Sequence, residues 1–214
     1  MDPAVHQMTS DVDGGPIEVV SSGSGPGVVV VPGGGTDAHT YGRLADRLAP
    51  YFIVHRVNRR GRGASAARPA DYGLATEVGD IGSVMEQTGS ARLVGHSVGG
   101  YFALAAARDV PGVERVALFD PTVSVDGSFP HDYLDEFERL VDAGDAVGAL
   151  VVAARGLRNP GPDLPDPVAR AAVRAIRVTP PGRTMVRLIG TVPANPASRW
   201  PATDPPSSGR RSAR

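Results

Sequence analysis

Short apolar runs at Ile17 to Val20, Val28 to Val31, Phe52 to Val57, Arg92 to Val94 and Val113 to Phe119 are each bounded by Gly, Pro or Asp. They are rich in valine, which packs well on a pleated surface, and most lack the polar alternation of a half-solvated strand. Between them, Tyr41 to Leu48, Glu77 to Gln87 and Val98 to Arg108 carry apolar residues at helical spacing. Strand and helix therefore alternate, and the connections this demands predict an α/β protein with a mostly parallel sheet.

The second run breaks into glycines, VVVVPGGGTDAHTY from Val28 to Tyr41. Glycines directly after a strand let backbone approach something closely, and a phosphate and a developing oxyanion both fit. The rest of the sequence narrows the choice. All 22 cationic side chains are arginine, so Schiff-base, pyridoxal-phosphate and P-loop lysine chemistry are excluded. Without cysteine there are no thiol nucleophiles, disulfides or thiolate metal sites, and no metal or organic cofactor is implied. A net charge of -1 offers no basic field for nucleic acid or an anionic membrane, which leaves a small-molecule substrate as the expected partner. The acidic start MDPAVHQMTSDVDGG has neither the positive nor the apolar region of a leader, and no apolar run reaches a membrane-spanning length. A cytoplasmic protein is the expectation.

Gly95-His96-Ser97-Val98-Gly99 fits G-x-S-x-G between an expected strand and an expected helix, with Gly100 extending it. That pattern holds a serine on a strained turn, and the small residues two positions either side let strand and helix pass closely. The following helix would aim its N-terminal partial positive charge at an oxyanion forming on a substrate bound to Ser97.

Taken in order, PGGG at Pro32 to Gly35, NRRGRGAS at Asn58 to Ser65 and GHSVGG at Gly95 to Gly100 resemble the α/β-hydrolase fold family, in its lipase, esterase and epoxide-hydrolase-like branch. The second motif stands where members often have D-x-R-G-x-G-x-S, and Pro32 stands where they often have histidine. The resemblance covers Ile17 to Asp126 well and the later helices loosely. It implies a three-layer sandwich and a helical cap, with Ser97 as nucleophile and the Gly34 and Val98 N–H groups as oxyanion hole. Asp120, at the end of the last expected strand, is the candidate acid, although the family's usual acid stands one strand later. The family's histidine follows a final strand, whereas the last histidine here is His131, so the base is unassigned. The last strands are expected to be missing, and with them activity, unless a partner supplies a histidine. His96, His39, His55 and His6, the last near a mobile start, are each expected to be structural or solvated.

Two rival readings remain. Gly33-Gly34-Gly35-Thr36-Asp37-Ala38 also fits the dinucleotide pattern G-x-G-x-x-A, with Arg59 or Arg60 to meet a 2′-phosphate, which would make this an NADP-binding Rossmann-type domain. The other is a hydrolase-like protein without catalysis. By composition the chain divides into a core at 1–126, a helical cap-like segment at 127–192, and a Pro/Ser/Arg-rich tail at 193–214 expected to be disordered. In the middle segment Tyr133, Phe137, Leu140 and Val141 form one apolar stripe and Val168, Ala172 and Ile176 another, divided by a break at Asn159 to Pro162. Arg170, Arg174 and Arg177 share a face that reads as an anion patch or, more simply, as a solvated surface.

Overall fold

The computed structural model describes residues 6–10, 14–126, 128–130, 132–157 and 164–192. The tail at 193–214, the break at Asn159 to Pro162 and His131 lie outside the described residues. Six strands form one sheet: β1 (His6–Ser10), β2 (Ile17–Gly23), β3 (Gly27–Val31), β4 (Ile53–Val57), β5 (Arg92–His96) and β6 (Arg115–Phe119), in the order β1-β2-β4-β3-β5-β6. The pairs β3 to β4, β3 to β5 and β5 to β6 are parallel, while β1 and β2 run antiparallel to their neighbours. The sequence pattern missed β1, whose HQMTS lacks an apolar run. It nevertheless pairs along its length with β2, so the segment around His6 is a strand rather than a mobile start.

Alternation along β3 divides the core in two, as successive strand side chains must. Val29 and Val31 pack with Leu93, Ile81, Val84 and Phe102, beneath α2 (Leu74–Thr88) and α3 (Val98–Asp109). Val28 and Val30 pack on the opposite face with Val54 and with Ala45 of α1 (Gly42–Leu48). Helices thus cover both faces, giving the expected three layers. Chain order decides where a ligand can sit: β3 is followed by β4 on one side, and the chain then crosses to β5 on the other. The crevice at this switch lies beyond the carboxyl ends of β3 and β5. Those ends carry the glycine loop and Ser97.

Beyond β6 the described chain is helical: α4 (Leu134–Asp142), α5 (Ala146–Gly156), α6 (Asp166–Ile176), α7 (Pro180–Leu188) and a 3-10 turn at Ile189–Thr191. The first apolar stripe does what its spacing demands, as Phe137 and Leu140 bury against Ala149 and Ile189 with Tyr133 and Val141 alongside. The second does not: Val168, Ala172 and Ile176 face solvent, and α6 buries no residue. Arg170 pairs with Asp145 at 2.7 Å while Arg174 and Arg177 are exposed, so the solvated-face reading fits the cluster.

Candidate active site

Ser97 joins β5 to α3 with φ 53° and ψ -128°, a left-handed-side conformation that a side chain adopts only when its surroundings enforce it. Here they do. The Ser97 N–H donates to the Phe119 carbonyl at 3.0 Å, and its own carbonyl accepts from Gly100 at 2.8 Å and Thr122 at 3.2 Å. Glycine is required on both sides of the turn. A Cβ at Gly95 would stand 2.6 Å from the Gly100 Cα, and one at Gly99 would stand 2.3 Å from the Val31 carbonyl oxygen. The five-residue pattern is therefore a packing necessity between β5, α3 and β3.

The glycine loop after β3 is held from several sides. The Gly33 N–H donates to the Tyr41 hydroxyl at 2.9 Å, and the Gly33 carbonyl accepts from Thr36 Oγ1 at 3.1 Å and from Arg62 Nη1 at 2.8 Å. The same Arg62 nitrogen donates to the Thr36 carbonyl at 2.7 Å. Asp37 caps a 3-10 turn, Ala38–Tyr41, by accepting from Thr40. Asn58 Oδ1 accepts from the Ala38 N–H at 2.8 Å, while Asn58 Nδ2 donates to Glu18 at 2.7 Å. The NRRGRGAS segment thus supports the glycine loop through its buried Asn58 and Arg62.

The same segment carries Arg59 and Arg60. Both are almost wholly buried, Arg59 on Glu77 at 2.6 Å and Arg60 on Asp80 at 2.8 Å. Neither guanidinium faces the glycines as a phosphate ligand would, and no long helix opens directly on them, since α1 starts at Gly42. Burial, reinforced by the neighbouring Arg59, pushes the Arg62 guanidinium well below its ordinary pKa, with Glu77 pulling the other way. Desolvation likewise raises the Asp80 carboxyl, opposed by its bonds from Arg60.

Gly34, Ser97 and Val98 meet at one cavity of about 260 Å³. Its remaining wall comes from the helical segment, chiefly Tyr133, Phe137, Leu150, Leu157 and Met185, and no charged side chain lines it among the described residues. Thr122, which the sequence reading did not single out, also lines it. Its position follows from the backbone bond to Ser97, which no local pattern announces.

Asp120 stands apart. It follows β6 with φ 47°, is exposed, and does not line the cavity. The described histidine side chains do not line it either. His96 Nδ1 lies 2.7 Å from the Tyr41 hydroxyl and its ring stacks on Phe119, with centroids 5.4 Å apart. Burial lowers its pKa against a raising influence from Asp120. His55 Nδ1 is 2.8 Å from Ser21 Oγ inside the sheet and its pKa is lowered by burial, whereas His39 is exposed.

The sequence profile of the Alpha/beta hydrolase family matches residues 28–208, most of the chain. Among curated proteins, the chain is 41% identical over 109 residues to the N-formylmaleamate deformylase of Pseudomonas putida, a match covering 49% of this chain and 41% of that protein. It is 35% identical over 120 residues to the pimeloyl-[acyl-carrier protein] methyl ester esterase of Xanthomonas campestris, covering 56% and 45% respectively. The match thus spans less than half the length of either enzyme. Among solved structures, an alpha/beta hydrolase from Sphaerobacter thermophilus superposes with TM-score 0.74 at 30% identity, over 94% of this chain and 76% of that one.

Proposed function

The chain belongs to the alpha/beta hydrolase family, and from that premise we propose that it acts on a small, uncharged, apolar ester or related acyl compound with Ser97 as nucleophile. One observation carries the reading: Gly34, Ser97 and Val98 converge on a single apolar cavity. Attack by Ser97 Oγ on the acyl carbonyl carbon forms the C–O bond while the carbonyl π pair moves onto oxygen. The N–H groups of Gly34 and Val98 receive that oxyanion, and Val98 lies at the N-terminus of α3, whose dipole has the matching sign. The segment 127–192 acts as the cap that shapes the acyl pocket. Two matched relatives are named as a deformylase and as a methyl ester esterase, which supports carbonyl-directed hydrolysis.

The serine proton is the difficulty. Neither His96, His55 nor His39 lines the cavity, and Asp120 is the acid only if a base comes between it and Ser97. Binding and an oxyanion hole without a complete triad leave about 10³ to 10⁴-fold catalysis over water in serine proteases. The 214-residue chain is therefore expected to hydrolyse a chromogenic butyrate ester no faster than Ser97→Ala. Added imidazole, as a diffusible base, is expected to produce turnover in the wild type that Ser97→Ala does not show. Equal rates for the two proteins in imidazole would defeat the nucleophile assignment. Strong Ser97-dependent turnover without imidazole would mean the chain holds its own base, and His131 and His39 would be replaced next.

A further inference from the structure

Arg62 is a cation of 1% exposure with no carboxylate partner among the described residues, unlike its neighbours Arg59 and Arg60. Carbonyl oxygens take the place of a counter-ion. Both hydrogens of Nη1 go to the two carbonyls that bracket the turn, Gly33 at 2.8 Å and Thr36 at 2.7 Å, and Nε reaches Thr191 Oγ1 at 3.2 Å. A buried guanidinium costs free energy that such dipoles offset.

The consequence for Gly34 follows from peptide planarity. The Gly33 carbonyl and the Gly34 N–H belong to one trans peptide unit and point in opposite directions. A bond that draws the carbonyl toward Arg62 therefore turns the Gly34 N–H away from Arg62, and Gly34 borders the cavity together with Ser97. Val192 and Met185 stand close enough to Gly34 and Gly35 that an added Cβ would meet them at 3.2 and 3.3 Å. Arg62 also ties this loop to the 3-10 turn that ends the helical segment, through Thr191.

We infer that Arg62 is a positioning residue, which sets the direction of the Gly34 N–H by gripping the peptide that carries it. The inference rests on the reading of Ser97 and Gly34 as nucleophile and oxyanion donor. It can be tested without turnover. A linear alkylboronic acid forms a tetrahedral adduct in which the Ser97 oxygen bonds to boron, its proton leaves to solvent, and a boron-bound oxygen occupies the oxyanion position. A carboxamide of equal length fills the same pocket without that adduct. Both affinities are measured on the full chain by ligand-observed NMR, with circular dichroism to check folding.

In Arg62→Met the boronic acid is expected to bind about 10-fold or more weakly, the scale of a misdirected oxyanion donor, while the carboxamide changes by less than about twofold. Should Arg62→Met not fold, Arg62→Lys serves instead. Its single ammonium still donates but has no second nitrogen to hold Thr191 while it binds the two carbonyls, so its position is less fixed and a loss of about threefold confined to the boronic acid is expected. Unchanged boronic acid affinity in a folded variant overturns the proposal, and so does a parallel loss of both ligands, which a merely structural role would give. If the wild type itself binds boronic acid no better than Ser97→Ala, the nucleophile reading has failed and the role of Arg62 falls with it. A loss specific to the boronic acid in Arg62→Met, with a clear Ser97 dependence, supports both.

Discussion

The two flanks of the cavity are built by opposite means. On the β4 side, the loop from Asn58 to Ser65 buries three guanidiniums against carboxylates and carbonyls, and through one of them, Arg62, it holds the glycine turn. On the β6 side, the strand's residues are mostly exposed, with Phe119 70% accessible, although the Phe119 carbonyl holds the Ser97 N–H. The contrast shows that the serine turn needs little from β6 beyond a backbone acceptor, because glycine contacts with α3 and β3 already close it. The glycine loop has no such local closure. Its glycines are free to rotate, and distant side chains must hold them.

The comparison breaks most severely if the buried flank loses a charge. Glu77→Ala leaves Arg59 buried without its carboxylate, and such removals cost about 3–5 kcal/mol, to be read from the urea midpoint. A loss below about 1 kcal/mol, the range of an exposed pair, would mean that water reaches Arg59 and that the flank is less closed than its geometry shows.

A smaller effect is expected where the two flanks meet. His96 touches Tyr41 on one side and Phe119 on the other, and burial holds its folded-state pKa below the ordinary 6.5, as it does for His55. Depressed values favour the neutral ring in the folded state, so the unfolded chain takes up more protons. Stability is then full above pH 6.5 and declines as pH falls from 6.5 toward the lowered folded values, by at most about 1.4 kcal/mol per pH unit for each histidine. Thermal melts across that window are expected to show the slope, and His96→Gln to remove part of it. A slope unchanged in that variant would assign the effect to other groups.

The smallest change belongs to the open flank. Phe119→Lys is expected to alter stability by no more than about 0.5 kcal/mol, as surface substitutions do. A charge on this edge strand should also reduce any concentration-dependent association seen by light scattering. Destabilisation on the scale of Glu77→Ala would show that Phe119 is covered in solution.

Among the described residues no helix is long and apolar enough to cross a membrane. The other expectations divide according to the range of the forces behind them. Valine-rich runs and helical spacing foretold β2 to β6 and α1 to α3 because a backbone period is written into neighbouring residues. GHSVGG foretold the turn at Ser97 for the same reason, since the contacts that demand Gly95 and Gly99 come from the adjoining strand and helix. The exposure of Val168, Ala172 and Ile176 was not legible: spacing defines a stripe, but whether another element covers it depends on where α6 docks.

By itself, then, the sequence determined the alternating layers, the strained serine and the apolar stripe of Phe137 and Leu140, all of which follow from local periodicity and steric size. Tertiary structure alone decided that Arg59 and Arg60 turn inward to Glu77 and Asp80, and that Thr122 joins the cavity wall. It also decided that Arg62 grips a carbonyl 29 residues away in sequence. An arginine's charge and reach are the same in a phosphate site, on a solvated face or behind a glycine loop. What separates these roles is the position of the acceptor, and folding brings that acceptor from a distant part of the chain.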